Sequence, residues 1–323
     1  MLVRDRFLNI YKRDLRESTR NTYRITLDKL YSKFNITQED EENKLKSLTC
    51  DDLEDWCLEL EEEYKGSTYN TIVTHLREYF KYLTEKRHLL TSNPFDVVRK
   101  LGCKEVEQDA KEKYIPNLDE IRLLIIRAGI REKESIKTFD FYGARDKAIM
   151  SILATTGTRQ SVIRELRYEW IEEIDGGIAF NVPKEYTKNK TLFRMVIGNK
   201  TLEYFNNYLK IVKDRNIESE YIFTSIKGNK LTLSDMDDMF KKTIKKARID
   251  VKGKSCSCHC MRNALVTYLV KRGDVSETVL KEIFNWSKDT NSNMIERYSS
   301  KDVRAYDEIK LKNYWQITFK VVE

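Results

Sequence analysis

Residues 178–197 read IAFNVPKEYTKNKTLFRMVI, and they decide the fold class because they break a helical rhythm that runs through the rest of the chain. Ile178, Phe180 and Val182 alternate, and so do Phe193, Met195 and Ile197. Successive side chains of a strand point to opposite faces, so each run presents one apolar face. The polar and basic stretch 183–191 lies between them. Two period-two runs joined in this way predict a β-hairpin.

Outward from the hairpin the apolar spacing turns to three and four. Helices are expected over 202–212, 233–247, 262–270 and 275–284. Upstream, 145–155 places Ala148, Ile149, Ile152 and Leu153 inward, and Asn117-Leu118-Asp119-Glu120 leads into Ile121, Leu124, Ile125 and Ala128. The first hundred residues are helical throughout. Ser18-Thr19 is a candidate cap for a helix with Tyr23, Leu27, Leu30 and Tyr31 on one face. Asp51 and Asp52 precede Leu53, Trp56, Cys57 and Leu60. Gly66-Ser67-Thr68 opens a third helix carrying Ile72, Val73, Leu76, Phe80 and Leu83, and Asn93-Pro94 ends the segment that follows. The fold class is mainly α with a small antiparallel β-sheet, an α+β second domain following a helical first one. Residues 102–113, GCKEVEQDAKEK, hold one large apolar residue, Val106, and make the linker candidate. The expected domains are 1–108 and 109–323.

Composition sets the broad class. With 40% hydrophobic residues and 323 positions, the chain has enough apolar material for two cores, which excludes a disordered chain. Three prolines and 11 glycines argue against a loop-rich all-β design. The formal charge of +7 permits a nucleic-acid partner without demonstrating one. Acids crowd 39–63, read as a solvated helical face. No apolar run reaches a membrane span, and the N-terminus MLVRDRFLNIYKRD has no apolar signal core. The expectation is a soluble cytoplasmic protein with reduced thiols at Cys50, Cys57, Cys103, Cys256, Cys258 and Cys260. Cys256-Ser257-Cys258-His259-Cys260 invites a zinc reading, but its one-residue spacing and missing second ligand pair suit a tetrahedral site poorly.

Four short stretches carry chemistry. In GTRQSVIREL, residues 157–166, Gly157 permits a sharp turn and Arg159 emerges beside it, while Val162, Ile163 and Leu166 face inward. A guanidinium on a rigid corner suits bidentate phosphate binding. The hairpin loop KEYTKNKTLFR, residues 184–194, places lysines where a groove or phosphate is within reach. His259-Cys260-Met261-Arg262 puts an imidazole and a guanidinium on one helical face. Phe284-Asn285-Trp286-Ser287 is followed by Met294-Ile295-Glu296-Arg297-Tyr298-Ser299. Each stretch alone reads equally as a surface feature; their order along the chain gives them meaning.

Taken together, Gly-Thr-Arg, a lysine hairpin, His-x-x-Arg, Trp and Arg-Tyr-Ser resemble the tyrosine recombinase (phage integrase) family. STRNTYRITL and the stretch 67–94 resemble that family's helical core-binding domain. The resemblance implies a site-specific recombinase that cuts and rejoins DNA through a 3′-phosphotyrosine, with no cofactor, metal or ATP. It assigns Arg159 and Arg262 to a phosphate clamp, Lys188 rather than Lys190 to protonation of the leaving oxygen, and His259 to the tyrosine proton. Trp286 occupies a histidine-or-tryptophan position, and Tyr298 matches the nucleophile. Two departures stand out. Val162 sits where an acid is common, which leaves Arg159 to be oriented by another group, Glu165 being a candidate, or to be held less firmly, and the gap from Trp286 to Tyr298 is longer than usual. The implied partners are a double-stranded DNA attachment site and, on DNA, three further copies of the chain; no membrane is implied. A type IB topoisomerase and a catalytically inactive DNA-binding relative are the alternatives. Candidate DNA contacts are Arg13, Arg16, Arg20 and Arg24 on one side and Lys241, Lys242, Lys245 and Lys246 on the other. Trp315, Ile317, Phe319 and Val321 alternate at the C-terminus and suggest a strand that pairs with a sheet edge.

Overall fold

Apolar stripes, one on each long helix, build the first of two units. In the computed structural model, which describes residues 2–97, 113–130, 136–273 and 275–286, the chain divides into Met1–Ala110 and Lys111–Glu323. In the first unit α1 (Val3–Arg6) runs into a π-helical turn, Phe7–Tyr11. It is followed by α2 (Glu17–Lys33), α3 (Glu41–Ser47), α4 (Cys50–Glu63), α5 (Gly66–Glu85) and α6 (Pro94–Val97). Tyr23, Leu27, Leu30 and Tyr31 of α2 are buried, as are Leu53, Trp56, Cys57 and Leu60 of α4 and Ile72, Val73, Leu76, Phe80 and Leu83 of α5. These are the stripes read from spacing, and they form one core cluster.

The caps differ from the sequence reading. Helix α2 starts one turn early, with Arg16 at the N-cap, so Ser18 and Thr19 lie within its first turn. Helix α4 is capped by Thr49, whose hydroxyl accepts from the Asp52 amide while the Asp52 carboxylate accepts from the Thr49 amide. The acidic face also needs correction at one position. Glu41 is buried, and its carboxylate accepts from the Val3 amide at 2.7 and 2.8 Å and from the Tyr31 hydroxyl at 2.6 Å. Helix N-termini leave amides unpaired, and this carboxylate satisfies that of α1 from 38 residues away.

The second unit places α7 (Leu118–Ala128), α8 (Ile136–Thr156) and the short α9 (Gln160–Ile163) before a sheet of β1 (Ile171–Ile174), β2 (Gly177–Val182) and β3 (Phe193–Gly198). Then come α10 (Asn199–Asp214), α11 (Leu233–Ala247), α12 (His259–Arg272) and α13 (Glu277–Ile283). Helix α8 packs against α7, α10 and α12. The sheet is antiparallel in the order β1-β2-β3, with Ile178 opposite Ile197, Phe180 opposite Met195 and Val182 opposite Phe193. The two alternating runs are thus the paired strands. Strand β1 was not foreseen, because Ile-Glu-Glu-Ile does not alternate. It is held from its polar side: the Arg194 guanidinium donates to the Glu172 carboxylate at 2.6 and 2.9 Å, and the Asn181 amide donates to it at 2.7 Å. Among the described residues no helix is long and apolar enough to cross a membrane.

Candidate active site at the Gly157 corner

Helix α8 stops at Thr156 because the next residue takes a left-handed conformation, φ +58° at Gly157. A Cβ there would lie 2.5 Å from the Phe284 ring, so both the backbone and the space require glycine. Thr158 is buried, and Arg159 follows as the extended N-cap of α9, whose Val162 and Ile163 anchor it in the core. The Arg159 guanidinium donates to the Asn285 carbonyl at 3.2 Å. Glu165, the acid that sequence offered as its orienting partner, instead accepts from Lys230.

Arg262 enters the same corner from the first turn of α12. It is buried, and a buried charge is tolerable only where polar groups replace water. Its guanidinium donates to the Gly157 carbonyl at 2.7 Å and to the Phe284 carbonyl. Its central carbon lies 5.0 Å from the Phe284 ring centroid and 6.0 Å from that of Trp286. Trp286 is half-buried, its ring 5.2 Å from Phe284 and its amide donating to the Lys281 carbonyl at 2.8 Å.

His259 opens α12 and stays exposed overall. The protein packed around its ring lowers its pKa to about 4, and the positive charges of Arg262, Lys113, Arg159 and Lys188 reinforce that shift. At neutral pH the imidazole is uncharged. These four cations lie near the imidazole, and Arg159, Arg262 and the turn bearing Lys188 meet at the adjacent carbonyls of Phe284 and Asn285, at one corner. Lys188 reaches it from the β2–β3 turn, where buried Thr187 accepts from the Thr191 amide at 3.1 Å and donates to the Thr191 carbonyl at 2.7 Å. Lys188 projects exposed from that knot, and Lys190, two residues on, takes φ +52°.

The structure therefore brings together Arg159, Arg262, His259, Lys188 and Trp286. Tyr298 and the alternating tail 315–321 lie outside the described residues. Of the candidate DNA contacts, Arg13, Arg16 and Arg24 are exposed and Arg20 half-buried, with Arg13 facing Asp14 at 3.8 Å. Lys241, Lys242 and Lys245 are exposed. Lys246 is half-buried and donates to the Ile130 carbonyl at 2.6 Å, a tie between helix ends.

Sequence reasoning missed two participants. Lys113 was counted in the linker, yet it bridges to Ser255, with the Tyr114 amide donating to the Ser255 carbonyl at 3.0 Å, and so it stands next to His259. No local pattern could reveal that pairing across more than a hundred residues. Asn285 was read only as part of Phe-Asn-Trp. It is buried, adopts φ +44°, and bonds to both Arg159 and the hairpin turn.

A helical scaffold with one small antiparallel sheet, gathering two arginines, two lysines and a neutral histidine at one corner, defines a class of protein built to hold an anionic group. Comparison with known proteins specifies the class further. The chain belongs to the phage integrase family of tyrosine recombinases: residues 131–304 match the phage integrase family model, and residues 4–87 match the phage integrase N-terminal SAM-like domain. The first match extends through Tyr298. A tyrosine recombinase of Agathobacter rectalis is 24% identical over 278 residues, covering 84% of this chain and 83% of the relative. Among solved structures, XerH site-specific recombinase bound to a palindromic difH substrate, a post-cleavage complex, superposes with TM-score 0.65 at 15% identity, covering 90% of this chain and 78% of the other. A lambda integrase dimer bound to a COC′ core site gives TM-score 0.62 at 15% identity, covering 91% and 75%. At those identities the structural likeness establishes the fold.

Proposed function

We propose that this chain is a site-specific recombinase that cleaves and rejoins double-stranded DNA through a covalent 3′-phosphotyrosine at Tyr298, without metal or ATP. The observation that carries the proposal is the convergence beside His259 of Arg262, bonded to the Gly157 and Phe284 carbonyls, with Arg159 and the turn bearing Lys188, both bonded to the Asn285 carbonyl. In the proposed reaction the Tyr298 oxygen attacks the scissile phosphorus and the bond from phosphorus to the 5′-oxygen breaks. A phenol is a weak nucleophile near neutral pH and must lose its proton as it attacks. Neutral His259 assists by accepting it. The two guanidiniums, charged at any working pH, neutralise the charge that builds on the phosphorane oxygens. They supply the electrostatic stabilisation that a metal ion supplies elsewhere. Lys188 protonates the departing 5′-oxygen, and Trp286 packs the pocket and offers an indole N–H. Attack of a 5′-hydroxyl on the phosphotyrosine reverses the sequence, so the bond energy is conserved and rejoining needs no ATP.

Arg13, Arg16, Arg20, Arg24, Lys241, Lys242 and Lys245 would contact the DNA backbone. Because the related lambda integrase is seen as a tetramer bound to a Holliday junction, and a Tn1549 transposon integrase shares the fold, the proposal extends to a tetramer on DNA and to a mobile element acting in the cytoplasm of its host. The domain boundary is proposed near 108, and the C-terminal strand is proposed to dock on a sheet edge.

The test is a nicked suicide substrate carrying a candidate attachment site, incubated in EDTA and resolved under denaturing conditions. A covalent adduct should form, and Tyr298→Phe should abolish it while leaving DNA binding unchanged. An adduct that maps to Tyr306 or Tyr314, or one that requires added Mg²⁺, would overturn the assignment.

A further inference from the structure

The β2–β3 turn carrying Lys188 is tied to the rest of the corner through one residue. The backbone carbonyl of Asn285 accepts from the Arg159 guanidinium at 3.2 Å and from the Asn189 side-chain amide at 2.7 Å. Its side-chain carbonyl accepts from the Thr191 hydroxyl at 2.8 Å. The Thr191 backbone in turn closes the Thr187 knot from which Lys188 projects. Asn285 itself is buried and left-handed, φ +44°, a conformation open to Gly and Asn but costly for most other residues. Its neighbours Phe284 and Trp286 pack on the Arg262 guanidinium. One residue thus touches the first arginine and two positions of the lysine turn, Asn189 and Thr191, and the Phe284 carbonyl just before it accepts from the second arginine.

We infer that Asn285 is a positioning residue that sets Lys188 in register with the arginine pair by latching the hairpin turn onto the carbonyl that Arg159 shares. A glycine would satisfy the backbone conformation and keep the shared carbonyl, but it would free the turn at Thr191. The side chain is therefore the part of the residue that acts on Lys188. The inference rests on the proposed role of Lys188 as proton donor to the leaving oxygen, and it adds the group that holds that donor in place.

Asn285→Gly isolates the latch, since it preserves the left-handed backbone and deletes only the bond to Thr191. Cleavage is measured on an ordinary suicide substrate and on one whose 5′-bridging oxygen is replaced by sulfur, a leaving group that needs no proton. Lys188→Ala serves as the reference on both. Asn285→Gly should slow cleavage of the ordinary substrate by about tenfold, the worth of one well-placed hydrogen bond. It should lie within about threefold of the unsubstituted protein on the sulfur substrate, with DNA affinity unchanged. Thr191→Val should do the same, and the double variant should be no slower than either single one. Equal losses on both substrates while Lys188→Ala is rescued, unimpaired cleavage, or additive losses would each overturn the latch. If Lys188→Ala is not rescued, the proton-donor reading falls. The latch is then judged by amide hydrogen exchange over 188–191. Faster exchange in Asn285→Gly, equal to that in Thr191→Val, supports it, and unchanged exchange overturns it.

Discussion

Each unit of this protein buries charged side chains, and two of them, Glu41 and Arg262, are treated in opposite ways. In the first unit Glu41 sits beneath α1 and α2, accepting from the Val3 amide and from Tyr31, whose hydroxyl also meets that of Tyr79 at 2.7 Å. Donors surround the carboxylate, and its charge is spent inside the fold. In the second unit Arg262 is just as buried; it donates to the backbone carbonyls of Gly157 and Phe284, lies beside the Phe284 and Trp286 rings, and shares the neighbourhood of His259 with Arg159, Lys113 and Lys188. Carbonyls compensate a guanidinium's desolvation without cancelling its charge. A buried anion among donors is a structural device. A buried cation facing further cations is a receptor for an anion, and in the proposed reaction that anion is the scissile phosphate.

Arg262→Ala tests the sharper half of this contrast. Loss of a preorganised charge-stabilising group should lower the cleavage rate by about a thousandfold. It should also leave the Gly157 and Phe284 carbonyls without their donor, so both rate and thermal stability should be measured. A cleavage rate within tenfold of the parent would remove Arg262 from the phosphate clamp and leave it a purely structural ion like Glu41.

Glu41→Ala should give the reverse pattern. Stranding the Val3 amide and the Tyr31 hydroxyl should cost about 1–3 kcal/mol of stability. Cleavage per folded molecule should not change. Denaturant titration read alongside suicide-substrate kinetics separates the two effects; a loss of turnover at full folding would show that the first unit's buried ion serves the reaction too.

The exposed arginines of α2 provide a milder contrast with the anchored pair. Replacing Arg16 or Arg24 by Ala should weaken DNA binding alike on any sequence and reduce the salt dependence by about one counterion each. Cleavage at saturating DNA should be unaffected. Affinity measured across a salt series checks this, and an unchanged slope would place α2 away from the phosphate backbone.

The smallest effect expected is on pH dependence. His259 has an ordinary pKa of 6.5 and a folded value lowered to about 4. Between those limits the unfolded chain binds a proton that the folded protein does not, so stability falls as pH drops through the window and is fully retained above it. In His259→Asn the difference between denaturation midpoints at pH 7 and pH 5 should be smaller than in the parent. An identical difference would mean that neither burial nor the surrounding cations lower the pKa of the imidazole.

These contrasts show where sequence speaks clearly. Periodicity marks which face of an element is apolar, so the stripes on α2, α4, α5 and α7 and the pairing of β2 with β3 were all legible from spacing. Gly157 was legible as a turn, and Arg159, His259, Arg262 and Lys188 were legible as an ordered set of motifs. Other features were overlooked or had no local signature. Thr49 won the cap of α4 because it had an acid three residues on, a pattern visible in the sequence that the acidic pair Asp51-Asp52 overshadowed. Strand β1 pairs along β2, with Arg194 and Asn181 of the neighbouring strands bonded to Glu172, and Glu41 is buried where the Val3 amide of α1 donates to it.

By itself, the sequence determined the helical stripes, the β2–β3 hairpin and the identity of the charged groups, because each follows from residues within one turn or one strand of each other. Only the tertiary structure decided how those groups meet: Lys113 beside His259 through Ser255, Glu165 turned to Lys230, and Asn285 joining Arg159 to the lysine turn. The physical reason is range. Periodicity and capping act over three or four positions, whereas a buried guanidinium or carboxylate takes its partners from whichever backbone the packed core brings within hydrogen-bonding distance, here as far as 105 residues along the chain.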